Sequence, residues 1–337
     1  MIRIAVDGMG GDFAPREIVK GAESVSRDGL ASIVLVGDVE KMKPHLTENV
    51  NLDMVHTPVF VEMHESPSVA LRKKRDSSIN RAFELHKKGE VDAVVSAGNS
   101  GATMAFAIFT LGRIPGVDRP AIATIHPRIG DGLSILLDAG GTVDCKPTHL
   151  AQFALMGNAF ASSVLGIDSP RVGILSNGEE ETKGNELTRD AHALIKEFRL
   201  NYLGYVEGTD MYNGRTDVVV SDGFVGNIAL KISEGVAELI FEFFREGIRK
   251  SLKAKIGYAL LKDIFKEFQK KADYSETGGA PLLGVDGVSI ICHGKSNAKA
   301  MRNAILLAKK FVEKGLRQSI GETMQDHYQS MQKVKEK

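Results

Sequence analysis

The stretch Val91-Asp-Ala-Val-Val-Ser96, followed by Ala97-Gly98-Asn99-Ser100-Gly101 and then by an apolar run over residues 102–111, decides the fold. A short β-branched run that ends in a glycine-rich polar turn and passes into a helical pattern reads as strand, turn and helix. The same unit recurs along the chain. Residues 2–6 form a β run before the turn Asp7-Gly8-Met9-Gly10-Gly11-Asp12 and a helix over 15–27, and 33–37, 121–125, 133–138, 172–176 and 218–221 are further short aliphatic runs. Each is followed by Gly, Asn, Asp or Ser. Repetition of this unit predicts an α/β fold of three layers, α/β/α, with a mostly parallel sheet covered by helices on both faces. Antiparallel excursions are expected around 134–137 and 289–292.

Composition narrows the class. The 337 residues are 43% apolar and 26% charged, which excludes wholesale disorder. Forty-three Lys and Arg against 43 Asp and Glu give zero net charge and exclude a globally basic nucleic-acid binder. The 35 glycines exceed the usual share of about 7% and, with only 10 prolines, point to tight turns and backbone-lined sites. Cys145 and Cys292 cannot build a disulfide framework. The chain starts as a strand rather than a secretory leader, and no window approaches the length of a transmembrane span, so a cytoplasmic protein is expected. No repeat, low-complexity segment or linker divides the chain, so residues 1–337 are expected to form one intertwined catalytic unit.

Polar clusters fall where strands end, the usual place for ligands in open α/β sheets. In Asp7–Asp12, Asp7, Gly10 and Gly11 are candidates for binding an anion through exposed N–H groups, or else build a tight turn. The dinucleotide spacing G-x-G-x-x-G is absent. Ser96, Asn99 and Ser100 offer hydrogen bonds at a helix start, where one of the latter two can equally serve as the cap. In Asn177-Gly-Glu-Glu-Glu-Thr-Lys183-Gly-Asn-Glu186, a lysine stands among four carboxylates, either as a solvated loop or as a point charge for phosphate. In Ser221–Asn227, Asp222 or Asn227 caps the next helix, or Asn227 donates to a developing oxyanion. The turn His293-Gly294-Lys295-Ser296-Asn297, with His293 a further candidate for substrate binding, again precedes a helix but lacks the upstream glycine of a Walker motif, so ATP binding by that route is rejected.

Equally informative is what the sequence lacks. No metal-binding pattern, cofactor fingerprint or Gly-x-Ser-x-Gly elbow is present, so neither metal nor cofactor is expected. Neither cysteine has a catalytic signature. Anion-friendly turns without a nucleophile suggest that a substrate performs the attack while the protein supplies position and charge.

Taken in order, Asp7-Gly-Met-Gly-Gly-Asp12, Ser96-Ala-Gly-Asn-Ser-Gly-Ala102, Leu136-Leu-Asp-Ala-Gly-Gly141 running to Val143-Asp-Cys-Lys-Pro147, Gly178-Glu-Glu-Glu-Thr-Lys-Gly-Asn-Glu186, Ser221-Asp-Gly-Phe-Val-Gly-Asn227 and Gly278-Gly-Ala-Pro-Leu-Leu-Gly284 closely resemble the bacterial fatty acyl-ACP:phosphate acyltransferase family. The likeness runs from Met1 to about Leu316. It implies transfer of a long-chain acyl group from acyl carrier protein to inorganic phosphate, giving acyl phosphate for phosphatidic acid synthesis. It also implies a fold similar to phosphotransacetylases and the isocitrate and isopropylmalate dehydrogenases, a homodimer, and Lys183 and Asn227 as active-site residues. A membrane glycerol-phosphate acyltransferase is the expected consumer of the product. Departures are small: Gly8 stands for the usual Ala, Phe13 for His, Ser100 for Thr and Ser176 for Asn. Rival readings are a short-chain phosphotransacylase using acyl-CoA, a dehydrogenase of the similar fold, and a non-catalytic carrier-binding scaffold.

One region has a different character. From Asn227 to about 272 the pattern is helical, with apolar residues at Val236, Leu239, Ile240, Phe243, Phe244, Ile248 and Leu252. It breaks around Gly257 and resumes at Ile264, Phe265 and Phe268, which predicts a helical hairpin protruding at about 236–272, or a long bent helix. Between Arg245 and Lys271 nine basic residues face three acidic ones. Arg249, Lys250, Lys253 and Lys255 suit steering of acidic acyl carrier protein. Ile256, Tyr258, Leu260 and Leu261, expected at the tip, suit peripheral contact with the anionic inner face of the plasma membrane. A dimerisation arm with solvated lysines is the simpler alternative. The run Arg72-Lys73-Lys74-Arg75 is a second candidate for carrier docking, or a solvated helix.

Overall fold

The computed structural model describes residues 1–47, 52–130, 132–272 and 274–335, apart from the side chains of 269–272, 274 and 330–335. The first half runs β1 (Arg3–Asp7), α1 (Arg16–Arg27), β2 (Ser32–Gly37), α2 (Val39–Met42), β3 (Asp53–His56), α3 (Pro67–Lys73), α4 (Ser78–Lys87), β4 (Ala93–Ser96), α5 (Ser100–Leu111), β5 (Ala121–Pro127) and β6 (Leu133–Leu137). There follow α6 (Pro147–Leu165), β7 (Arg171–Leu175), α7 (Glu186–Lys196), β8 (Asn201–Val206), α8 (Asp210–Asn213) and β9 (Val218–Val220). The chain continues through α9 (Gly223–Lys250), α10 (Leu252–Ala272), α11 (Tyr274–Thr277), β10 (Ala280–Leu283), β11 (Ser289–Ile291), α12 (Ala298–Glu313) and α13 (Leu316–Lys335).

Among the described residues, eleven strands form one sheet in the order β3-β2-β1-β4-β11-β10-β5-β6-β9-β7-β8. Strands β3, β2, β1, β4 and β11 are mutually parallel, as are β6, β9, β7 and β8. The two blocks meet through antiparallel pairings of β11 with β10, β10 with β5, and β5 with β6. Three reversals in succession make the blocks run in opposite directions. The stretches near 134–137 and 289–292, expected to be antiparallel, are β6 and β11, each with one antiparallel and one parallel neighbour, whereas β5 and β10 are antiparallel on both sides.

Side-chain alternation sorts the core into two faces. Ile4 and Val6, Ile33 and Leu35, and Ala93 and Val95 pack with α1, α6, α12 and α13, where Phe153, Phe160 and Phe311 are fully buried. The intervening Ala5, Val34, Val36 and Val94 pack the other way, against Phe83 of α4 and Phe106 of α5. Strict alternation of buried residues on adjacent strands is what a sheet covered on both faces requires. Sequence reading overlooks β3, β8 and β10. The first two are the sheet's edge strands and carry less apolar patterning, while β10 contains Pro281, which argues against a strand by its type.

The protruding hairpin is α9 and α10, packed antiparallel through Phe241 on Phe268 and Phe244 on Phe265. Its boundaries correct the sequence expectation. The first helix begins at Gly223, and the turn falls at Ser251, whose backbone is extended, not near Gly257. One glycine costs a helix only about 1 kcal/mol, and neighbouring contacts offset that. Ile256, Leu260 and Leu261 therefore lie along α10 with Leu252 nearer the turn. No described helix is long and apolar enough to cross a membrane.

At the edge of the sheet where β7 and β9 begin, Asp217 ties three strands together. It accepts from Arg171 Nε at 2.8 Å and Arg128 Nη1 at 2.6 Å, and from the Arg171 backbone N–H at 2.9 Å. Burial alone would raise the Asp217 carboxyl, but these donors outweigh it and hold the group at about 2. A depressed carboxyl stabilises the fold above its unfolded value, 3.8, and loses that contribution as pH falls through about 2. We therefore expect Asp217→Asn to destabilise the protein by about 3 kcal/mol at neutral pH, since it leaves two buried-edge arginines under-paired. Urea denaturation at stepped pH should show the gap between variant and parent narrowing on acidification below 3.8.

Candidate active site

Loops after β1, β4 and β11 pack backbone to backbone. Ser96 Oγ donates to Asp7 Oδ2 at 2.8 Å and accepts from Gly98 N–H at 3.0 Å. A Cβ on Gly10 would stand 2.7 Å from Gly98 N and 2.6 Å from Asp7 Oδ2, so the two turns can meet only through glycine. Gly11 (φ +112°) lies beside Ala97, and Asp12 N–H donates to Gly294 O at 2.8 Å. Asp7 is buried, and desolvation pushes its carboxyl up against the opposing hydrogen bonds from Ser78, Ser96, Met9 and Gly10. The side chains of Asp7 and Ser96 are thus engaged in holding the turns. His293 is exposed, and its Nδ1 accepts from Lys295 N–H in its own turn.

Asn99 is the cap of α5, with Oδ1 accepting from Ala102 N–H at 3.0 Å. Its Nδ2 donates to Met63 O and Glu65 O, both at 2.9 Å, so the whole amide is committed to structure. The N–H groups of Ser100 and Gly101 have no acceptor among the described residues. They, rather than the Asn99 side chain, are the anion-compatible donors of this turn.

A second group of loops follows β6, β9 and β7. Asp138, fully buried after β6, accepts four backbone hydrogen bonds: Oδ1 from Ile122 (2.9 Å), Gly140 (3.1 Å) and Gly141 (2.8 Å), and Oδ2 from Thr142 (2.5 Å). Burial raises its carboxyl, and the four N–H groups work against that rise. The start of α9 sits on this loop. Gly223 N–H donates to Thr142 O at 2.8 Å, and a Cβ on Gly226 would fall 1.9 Å from Asp138 O. Asp222 is the cap, accepting from Phe224 and Val225 N–H at 2.9 Å each. Asn227 is exposed and free of capping duty, with its Cβ and Oδ1 3.5 Å from the position of a Cβ on Gly140.

Lys183 occupies the loop after β7, the strand paired with β9, so it and Asn227 follow neighbouring parallel strands. The carboxylates around it are largely taken by other cations. Glu179 pairs with Arg215, and Glu181 with Lys196 at 2.8 Å. Lys183 is left with Glu180 at 3.9 Å, at the limit of an ion pair. Its stem folds over Gly178, and the loop is fixed by Gly184 N–H donating to Asn177 Oδ1 at 3.0 Å and by the Asn185–Thr188 capping box.

The two groups approach each other through α5. Ala102 and Phe106 share a cluster with Ala139 and with Leu230, one turn beyond Asn227. A Cβ on Gly141 would lie 3.3 Å from Met104 Sδ. Asp7, Gly10, Gly11 and Ser96 therefore form one centre and Asn227 with Gly140 another, with Ser100 at the head of the helix that spans them. No contact joins Lys183 to Asn227 directly among the described residues. Asp138 is not singled out in the sequence, although the turn Asp138-Ala-Gly-Gly141 after a buried strand is the same kind of signal as Asp7–Asp12. Burial pushes the thiol of Cys145 up to about 12, and that of Cys292 likewise, so neither supplies a thiolate near neutral pH. Arg249 and Lys253 make no ion pair among the described residues, whereas Lys250 meets Glu246 at 3.2 Å.

Comparison with known proteins identifies the family and the fold. The model of the family described as fatty acid synthesis protein matches residues 2–319. The phosphate acyltransferase of Geotalea daltonii is 54% identical over 331 residues, covering 97% of this chain and 95% of that protein. That of Geobacter sulfurreducens is 52% identical with the same coverage. Among solved structures, a phosphotransacetylase from Streptococcus pyogenes has a TM-score of 0.64 at 16% identity, over 93% of this chain and 94% of that one. The 4-hydroxythreonine-4-phosphate dehydrogenase of Klebsiella pneumoniae has a TM-score of 0.56 at 15% identity, over 93% and 100%. At such identities the structural likeness concerns the fold, and it matches the α/β/α architecture read from the sequence. By the extent of the family match and the identity to these relatives, the chain belongs to the phosphate acyltransferase family of fatty acid synthesis proteins.

Proposed function

We infer that the chain transfers a long-chain fatty acyl group from acyl carrier protein to inorganic phosphate, with phosphate itself as the nucleophile. The observation that carries this reading is the state of Lys183. Its neighbouring carboxylates are drawn off by Arg215 and Lys196, which leaves an ammonium available to an external anion. Phosphate meets Lys183 as a point charge, with open backbone N–H groups adding directional donors. One phosphate oxygen forms a bond to the thioester carbonyl carbon as the carbonyl π electrons move onto oxygen. The Asn227 amide donates to that oxyanion. Collapse breaks the C–S bond, and the pantetheine thiolate leaves and takes up a proton. The high thiol values of Cys145 and Cys292 support direct attack over an acyl-enzyme.

The hairpin carries the partner reading. Along α9 the apolar side chains Ile228, Ile232, Val236, Leu239 and Phe243 are exposed on one face, and along α10 Leu252, Ile256, Leu260 and Ile264 form a second stripe. The extent of these stripes supports a homodimer in which a second copy covers part of the hairpin. Leu260, 82% exposed, stands with Leu252, Ile256 and Leu261 on a helix that carries Lys253 and follows Arg249 and Lys250, a composition suited to an anionic bilayer. Each basic residue near such a surface contributes only about 1 kcal/mol, so contact is reversible and salt-sensitive. Such contact would bring the product to a membrane glycerol-phosphate acyltransferase.

Thiol release from acyl carrier protein thioesters should require added phosphate, and should exceed that from CoA thioesters of the same acyl chain. Equal rates with and without phosphate would refute the reaction, and a preference for short acyl-CoA would make the protein a phosphotransacylase of that class. Lys183→Ala and Asn227→Ala are each expected to lower kcat/KM by about 10²–10³ with the fold intact. In flotation with anionic liposomes, Leu260→Glu is expected to reduce the bound fraction at low salt. Binding equal to the parent would remove the membrane contact.

A further inference from the structure

A cavity of about 260 Å³ lies between α5 and the loop after β6, walled by Met104, Ile108, Arg119, Pro120, Val143 and Asp144. It adjoins the reaction centre. Gly141 lines it, and the preceding residue, Gly140, lies against Asn227. Its walls have two characters. Met104, Ile108, Pro120 and Val143 are apolar, while Arg119 is exposed, lies within electrostatic reach of His149, and makes neither an ion pair nor a hydrogen bond among the described residues. Thr142, whose Oγ1 donates to Pro120 O at 3.3 Å and keeps its lone pairs for a donor, and Asp144 add a hydroxyl and a carboxylate to the lining.

We propose that this cavity seats the pantetheine arm of the thioester substrate and that Arg119 holds the phosphodiester joining the arm to its carrier protein. The assignment rests on the acyl-transfer reading above. A pantetheine arm alternates methyl and methylene groups with two amides and ends in a phosphodiester, which is the sequence of surfaces the cavity presents. The apolar walls take the hydrocarbon, Thr142 and Asp144 meet the amide N–H groups, and a planar guanidinium matches two phosphate oxygens at once. A fatty acyl chain fits less well, because it would desolvate Arg119 and Asp144 without offering either a partner. Inorganic phosphate would leave the apolar walls unused. The volume is below the roughly 300–1,000 Å³ typical of whole small-molecule sites, which suits a slender arm rather than a nucleotide. Arg119 is a specificity and positioning residue in this scheme, with the thioester sulfur delivered to Gly140 and Asn227.

Steady-state kinetics with acyl carrier protein thioester and with acyl-pantetheine lacking the phosphate separate the contributions. Arg119→Ala should raise KM for the carrier thioester about ten- to a hundredfold, the loss expected for a charge-assisted contact, with kcat little changed. KM for inorganic phosphate and for acyl-pantetheine should stay at the parent values, and Arg119→Lys should recover part of the loss. Ile108→Trp, which fills the cavity, should raise KM for both thioesters. An increase in KM for inorganic phosphate, equal losses with both thioesters, or no change in either would each overturn the assignment. Failure of the acyl-transfer reading itself would be seen separately, as absence of phosphate-dependent thiol release by the unaltered protein.

Discussion

The carboxylate of Asp138 is buried without a cation, and four backbone N–H groups surround it. A charge in that position is tolerable only while every one of those donors points inward. The loop from Gly140 to Thr142 is therefore wound around the carboxylate, and Ile122 N–H binds the same oxygen and pins the loop to the start of β5. The start of α9 is then pressed onto the result, close enough that only glycine fits at 226. The placement of Asn227, the proximity of Gly141 to α5 and the shape of the cavity beside it are all bound up with this one satisfied carboxyl group.

Two helix starts near the site treat charge differently. At α9, Asp222 occupies the N-terminal donors with its own carboxylate, so that end is already neutralised and repels a further anion. At α5, the cap is an uncharged amide, and two N–H groups beside it remain open. Under the proposed reaction the open end of α5 suits the charged phosphate, whereas at α9 it is the Asn227 amide, not the helix N-terminus, that serves the thioester oxygen.

Most of the architecture was legible in short β-branched runs followed by glycine-rich turns, because a strand buried on both faces has little choice of composition. Edge strands and the proline-bearing β10 escape that rule, since their environment, not their own sequence, makes them strands. The hairpin turns at Ser251 and not at Gly257 for a related reason. Gly257 is a weak helix residue, but packing of Phe241, Phe244, Phe265 and Phe268 holds the helix through it. The loops of Lys183 and Asn227 are legible from their shape, with a solvated loop or a helix cap as open alternatives, and the family resemblance singles out the two residues. What sequence did not display is how each polar group is used. Ser96 is matched to a carboxylate 89 residues away, and Glu179 to an arginine 36 residues away, and those pairings decide which groups remain free for a ligand. The role of Asp138 was hidden in the same way, because backbone donors leave no mark in the residue pattern.

α9 is continuous from Gly223 to Lys250, about 42 Å at about 1.5 Å per residue. Asn227 stands near one end, and the basic turn of the hairpin stands at the other. A straight helix transmits tilt along its length, and the near end is wedged against Asp138 with no slack at Gly226. One continuous helix therefore carries both the Asn227 amide and the face that the hairpin presents to its surroundings.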